Sequence, residues 1–202
     1  MTPKIKICGI STEQDSAVAT ACGASFIGVV LAPSSPRTQT AEHAASLVAA
    51  TPPSAKTVAV FVNPTEADVA SCTASIVQLH GSESAETVTL LAAAAGKPLI
   101  KAFSFCPAAC RTWDDHPDVA MLLVDSPAAG SGASFDHAEL ADLLPTLRKP
   151  LFVAGGLTPD NVASLLEIAK PYGVDVSSGV EQTRGVKDHG LIRAFCDAVK
   201  SS

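Results

Sequence analysis

Short runs of β-branched and aliphatic residues alternate with alanine-rich stretches of helical period along the whole chain, about eight times over. The pattern predicts strands over residues 4–10, 25–31, 57–63, 75–80, 99–105, 119–126, 151–154 and 173–178. Helices are predicted to begin near Thr12, Ala41, Thr65, Ser84, Pro107, His137, Pro159 and Asp188. Asn63-Pro64-Thr65 and Thr158-Pro159 each place a proline near a first turn, where its missing N–H costs nothing. In the first strand, alternation puts Ile5 and Ile7 on one face and Lys4, Lys6 and Cys8 on the other. Isoleucines turned toward a helical layer leave Lys6 and Cys8 pointing inward.

Alternating strands and helices imply a parallel sheet, and about eight units in one chain point to a closed α/β barrel, a (β/α)8 or TIM barrel. An open doubly wound sheet would more often carry a G-x-G-x-x-G turn after its first strand, and none stands there. No linker or low-complexity insert interrupts the pattern, so residues 1–202 are expected to form a single barrel domain. In such a barrel the active site lies at the C-terminal ends of the strands and in the loops just after them. That rule selects Cys8-Gly9, Pro33 to Arg37, Asn63, Gln78 to Gly81, Asp125-Ser126, Gly155-Gly156 and Ser177-Ser178-Gly179.

The 202 residues are 47% apolar, enough for a large core, and carry a formal net charge of -6. With a pI near 5.3 the chain lacks the basic footprint of a nucleic-acid or membrane-surface binder, and a small-molecule partner is expected. No apolar run approaches the roughly 20 residues of a membrane helix. Six cysteines without C-x-x-C spacing, behind a first segment that reads as a strand rather than a signal peptide, suggest a reducing cytoplasm. Cys106 and Cys110 lie at helical spacing and could share a metal, but no second ligand pair stands near them in the sequence, so core or helix-face thiols are the better reading and no metal is expected.

Each rim group has a functional and a plain reading. Cys8, two residues after an inward lysine, is a candidate base or nucleophile whose thiolate Lys6 would favour; alternatively it only fills space. Asp125 closes an apolar strand, where burial would hold its proton, so it could act as an acid opposite a basic Cys8; alternatively it caps a turn. Gly155 and Gly156 after strand seven, with Ser178 and Gly179 after strand eight, stand where such barrels cradle phosphate, although glycines also serve tight turns. Arg37 could pair a carboxylate or phosphate bidentately or be a solvated surface arginine. His80, beside Gln78, is either a site residue or a hydrogen-bonded interior one.

Taken together, Lys6-Ile7-Cys8-Gly9-Ile10, Ser35-Pro36-Arg37, Val60-Phe61-Val62-Asn63, Gln78-Leu79-His80-Gly81, Gly155-Gly156-Leu157-Thr158-Pro159-Asp160-Asn161-Val162, Asp175-Val176-Ser177-Ser178-Gly179-Val180-Glu181 and Gly185-Val186-Lys187-Asp188 resemble the phosphoribosylanthranilate isomerase family of tryptophan biosynthesis. The resemblance runs over nearly the whole chain. It implies a (β/α)8 barrel that performs an Amadori rearrangement without cofactor or metal. It also implies that Asp125 is the general acid, Cys8 the general base, and Arg37 the anchor of the anthranilate end. Gly156, Ser178 and Gly179 fall where the family cradles phosphate, and His80 falls at a substrate-side position. On this reading Lys6 assists the thiol, and Asp175, inward on strand eight, holds Lys6 in place.

Departures from the family pattern are Ala129-Gly130-Ser131-Gly132 and Phe135-Asp136-His137 after strand six, and Val29 and Leu31 where strand two often carries aromatics. A histidine-pathway sugar-phosphate isomerase would share the barrel but put a carboxylate in place of Cys8. A non-catalytic barrel that binds a phosphorylated ligand, or regulates a pathway enzyme, is the other alternative. Polar and alanine-rich helix faces suggest a monomer.

Overall fold

A computed structural model describes residues 2–125 and 137–202. Eight parallel strands hydrogen-bond in chain order and close on themselves: β1 (Lys4–Cys8), β2 (Phe26–Val30), β3 (Lys56–Phe61), β4 (Ile76–Leu79), β5 (Leu99–Ser104), β6 (Met121–Asp125), β7 (Leu151–Val153) and β8 (Gly173–Val176). Closure is made by β8 against β1, with Lys6 opposite Asp175 and Ile7 opposite Val176. The expected (β/α)8 barrel is therefore present. Strand cores coincide with the predicted runs, but β1 and β8 stop at Cys8 and Val176, so Ser177 and Ser178 belong to the rim loop. The predicted end of strand six at Ser126 and the loop departures at 129–136 lie outside the described residues.

The helices are α1 (Glu13–Ala21), α2 (Ala41–Ala50), α3 (Glu66–Ser71), α4 (Ala85–Ala95), α5 (Pro107–Asp115), α6 (His137–Leu143), α7 (Val162–Ile168) and α8 (His189–Ser201). Hydroxyl and carboxylate N-caps set most starts: Thr12, Thr40, Thr65, Ser84 and Asp188 each accept a backbone N–H from the first turn. Pro107 sits in the first turn of α5. α7 begins at Val162, three residues beyond the predicted start at Pro159; Asn161 stands at its N-cap, but its side chain makes no bond to the first turn and holds the preceding turn instead. Its Oδ1 accepts from Thr158 N at 2.8 Å and its Nδ2 donates to Gly156 O at 2.9 Å. A two-stranded hairpin of β9 (Glu181–Thr183) and β10 (Val186–Lys187), absent from the predicted elements, follows the last barrel strand.

Alternation along each strand divides the apolar residues between two cores. Ile5, Ile7, Ile27, Leu79, Leu122 and Val174 face outward and pack with Leu91, Leu165, Phe195 and Val199 of the helical layer. Phe26, Val58, Val60, Ile76, Ile100, Leu123 and Phe152 fill the barrel interior. Val29 and Leu31, where the family often carries aromatics, lie on the helical side beside Ala44 and Leu47, so they leave the barrel mouth unaffected. The inward residues of that segment are Val30 and Ala32.

Aromatic rings stop the barrel at its N-terminal end. Phe152 meets Phe26 edge-on at 5.1 Å between ring centroids and Tyr172 edge-on at 5.3 Å. The Phe152 ring occupies the space above Gly173: a Cβ there would lie 2.5 Å from its Cε1 and 2.6 Å from the Lys4 carbonyl oxygen. One obstacle is backbone and the other a fully buried ring, so neither yields readily. Gly173→Ala is expected to destabilise the fold by about 1–3 kcal/mol, as overpacking of a filled core does, read as a lowered urea midpoint at unchanged m-value. An unchanged midpoint would show that β8 and Phe152 separate more easily than this packing implies.

Candidate active site

A cavity of about 300 Å³ opens at the C-terminal mouth of the barrel. Cys8, Arg37, His80, Asp125, Gly155, Gly156 and Ser178, all predicted from the sequence as site residues, line it; Gly179, next to Ser178 in the chain, is not among the lining residues. A larger cavity of about 550 Å³ between α2 and α3 contains none of Cys8, Arg37, His80 or Asp125. The barrel topology thus gathers residues spread over more than a hundred positions of sequence.

Cys8 forms part of the floor. Lys6, two residues earlier and on the same face, is fully buried, and its Nζ donates to Asp175 Oδ1 at 3.0 Å. Burial lowers the Lys6 pKa, but Asp175 and Cys8 more than offset it, so the ammonium keeps its proton above its ordinary value. Burial pushes the Cys8 thiol up, Lys6 pulls it down, Asp175 pushes it up and Lys187 pulls it down; the net shift is upward. Lys6 pulls on the thiol in the expected direction but does not bring it below its ordinary value, because burial and the neighbouring carboxylate outweigh it.

Asp125 ends β6 with its side chain 35% exposed at the mouth rather than sealed into the apolar run. Its Oδ2 lies 3.4 Å from His80 Nε2, and His80 Nδ1 lies 3.4 Å from Gln78 Nε2. Gln78 is fully buried and its Oε1 has no hydrogen-bond partner among the described residues, which leaves an acceptor beside the imidazole.

Arg37 is neither solvated nor free. Its Nε and Nη2 donate to Glu181 Oε1 at 2.6 Å and Oε2 at 2.8 Å. Lys187 Nζ donates to the same Glu181 Oε1 at 3.0 Å and to Ser177 O at 2.8 Å. Burial raises the Glu181 carboxyl, but Arg37, the Gly185 N–H and Lys187 outweigh it and bring it to about 2. The β9–β10 hairpin is therefore the arm that aims the Arg37 guanidinium across the mouth. Neither Glu181 nor Lys187 stood out in the sequence except inside the family motif. No local spacing signals that Arg37 meets a residue 144 positions away.

Gly155 and Gly156 have φ of 90° and 65°, a left-handed backbone that favours glycine. Gly179 answers a different constraint, since a Cβ there would lie 1.8 Å from the Leu157 carbonyl oxygen. The loops after β7 and β8 thus touch through backbone. The N–H groups of Gly156, Ser178 and Gly179 have no hydrogen-bond acceptor among the described residues. Cys106 is exposed and Cys110 fully buried, so they do not present a common face.

The profile of the family described as N-(5'phosphoribosyl)anthranilate (PRA) isomerase matches residues 5–198. An N-(5'-phosphoribosyl)anthranilate isomerase of Acidithiobacillus ferrooxidans is 41% identical over 209 aligned positions, covering 98% of each chain. The crystal structure of phosphoribosyl anthranilate isomerase from Thermotoga maritima is similar at a TM-score of 0.88 and 31% identity, over 99% of this chain and all of that one. A crystal structure of such an isomerase in complex with reduced 1-(o-carboxyphenylamino)-1-deoxyribulose 5-phosphate is similar at 0.86 and 30% identity, with the same coverage. The chain belongs to the N-(5'-phosphoribosyl)anthranilate isomerase family.

Proposed function

We propose that this chain, as one barrel domain, converts N-(5-phosphoribosyl)anthranilate to 1-(2-carboxyphenylamino)-1-deoxyribulose 5-phosphate in tryptophan biosynthesis, with Asp125 as general acid and Cys8 as general base. The observation that carries the reading is a thiol above a buried ammonium and a carboxylate beside a histidine, both lining one cavity of about 300 Å³. Asp125 protonates the ribose ring oxygen as the C1–O bond breaks, and the anilino nitrogen donates its lone pair to give an iminium ion. That cation acidifies the neighbouring C2–H, and the Cys8 thiolate takes the proton to leave an enolamine. Protonation at C1 and loss of the C2 hydroxyl proton complete the aminoketone. Atoms and electrons balance within the substrate, so the mechanism calls for no cofactor and no metal.

A thiol held above its ordinary pKa is less often ionised but a stronger base once it is. Arg37, with Nε and Nη2 committed to Glu181, keeps its Nη1 edge for the anthranilate carboxylate. Gly155, Gly156, Ser178 and Gly179 offer backbone N–H groups to the phosphate, and His80 contacts the substrate beside Asp125. A relative's complex with a reduced phosphorylated product supports a ligand of this kind. No described helix is long and apolar enough to cross a membrane, and the proposed location is the cytoplasm. The proposed state is a monomer, because the large exposed apolar side chains Val62, Leu90, Ile168, Tyr172 and Val186 belong to separate elements.

Freshly prepared phosphoribosylanthranilate should lose its anthranilate-type fluorescence rapidly with wild-type protein. Cys8→Ser and Asp125→Asn should each slow that loss by about 10²–10⁴-fold. Phosphate-ligand binding without turnover in the wild type would instead indicate a non-catalytic barrel.

The thiol is set by a balance of neighbours, and each can be removed. Thiolate absorbance, taken as the difference between chains with and without Cys8→Ser, should titrate at lower pH in Asp175→Asn and at higher pH in Lys6→Met. A titration unmoved by Lys6→Met would remove Lys6 from the mechanism.

A further inference from the structure

Behind the wall of the mouth lies a further buried ion pair, Lys101 with Glu83, that lines no part of the cavity. Lys101 alternates on β5 with Ile100 and Ala102, which face the barrel interior, so its side chain enters the helical layer, where Nζ lies 5.5 Å from the Trp113 ring centroid. Its side chain is 2% exposed and that of Glu83, in the loop after β4, is 1% exposed. Lys101 Nζ donates to Glu83 Oε2 at 2.7 Å, Gly81 O at 2.9 Å and Ala102 O at 3.1 Å. Glu83 in turn accepts from Gly81 N with both oxygens at 3.1 Å and from Asn63 N at 2.8 Å, and Asn63 Oδ1 accepts from Ser82 N at 3.0 Å. The ammonium and the carboxylate are both fully engaged, and the main chain of Gly81 is gripped at its N–H and at its carbonyl. A Cβ on Gly81 would fall 2.4 Å from Asn63 Oδ1 and 2.6 Å from Glu83 Oε1, so the clamp closes onto glycine.

Burying such a pair costs desolvation that its attraction only offsets when the geometry is good, so net stability is a poor reason for its presence. Its geometry serves the residue before Gly81. His80 N donates to Phe61 O at 2.8 Å, while its ring contacts to Gln78 and Asp125 are both 3.4 Å, at the outer limit of a hydrogen bond. At that limit a few tenths of an ångström decide whether His80 touches Asp125. We propose that Glu83 and Lys101 are positioning residues that hold the Gly81 peptide so that the His80 imidazole stays beside Asp125. This deepens the proposed isomerase reading and rests on it.

The test is a double-mutant cycle with Glu83→Gln and Lys101→Met, each in the wild type and in His80→Ala. Glu83→Gln keeps the shape but turns an amide N–H against a donor, either the Lys101 ammonium or the backbone N–H groups of Asn63 and Gly81. It should lower kcat/KM about ten- to a hundredfold in the wild type and less than about twofold in His80→Ala, with Lys101→Met parallel. Should Lys101→Met not fold, Glu83→Gln decides the matter. The His80 imidazole resonances, followed by NMR, should shift in Glu83→Gln whether or not the protein turns over substrate. Equal losses in both backgrounds, or unmoved His80 resonances, would overturn the proposal. Wild-type protein that turns over nothing while the resonances do shift would instead overturn the isomerase reading and leave the clamp standing.

Discussion

The pairing of β8 with β1 is the constraint on which the site depends. Closing a parallel sheet removes its edges and turns half of every strand toward a shared interior, and the closing register decides which polar residues meet there. Here Lys6 stands opposite Asp175 in the ladder, so a fully buried ammonium finds a carboxylate at 3.0 Å without leaving the strand. Shifted by one residue, Lys6 would point into the helical layer and Ile7 into the mouth, because side chains alternate with period two. The ring packing of Phe152 on Gly173, Phe26 and Tyr172 at the opposite end secures this register, linking an apolar plug to the chemistry at the rim.

Three buried lysines follow one pattern. Lys6 pairs with Asp175, Lys101 with Glu83 and Lys187 with Glu181, and each pair is placed where a strand or its loop reaches the mouth. An unpaired ammonium in these positions would lose its charge or unfold its surroundings, so each pair must form together with the backbone around it. Each carboxylate also gathers loops: Glu83 ties the loops after β3 and β4 to β5, and Glu181 ties the β9–β10 hairpin to Arg37. The barrel supplies the rigid floor, and these pairs set the less regular rim.

What was legible in the sequence was local or periodic. The strands, most helix starts and the inward direction of Lys6 and Cys8 follow from period two, period 3.6 and capping chemistry. The rim residues follow from the rule that strand ends carry the site. The rest depends on contacts without a local signal. Glu83 lies 18 residues from Lys101, and Glu181 lies 144 from Arg37, so neither pairing is visible until the barrel brings them together. Asp125 looked buried because it ends an apolar run, yet a strand's last residue is where the side chain emerges from the packed layer, and it is 35% exposed. The late start of α7 has a related reason: the side chain of Asn161, at the N-cap position, bonds to Thr158 and Gly156 in the folded loop and not to the first turn.

The upward shift of the Cys8 thiol makes sense of the electrostatic layout around it. A thiol beside an unopposed lysine would ionise easily and be a weak base; a thiol in an apolar pocket without any cation would hardly ionise at all. Asp175 holds Lys6 while partly cancelling its charge, which places Cys8 between those limits. At the mouth Asp125 remains partly solvated, with His80 as its neighbour. The two groups proposed to transfer protons therefore stand in opposite environments within one cavity, a closed floor for the proposed base and an open rim for the proposed acid. That contrast suits a reaction in which an oxygen must be protonated and a carbon deprotonated on the same small molecule.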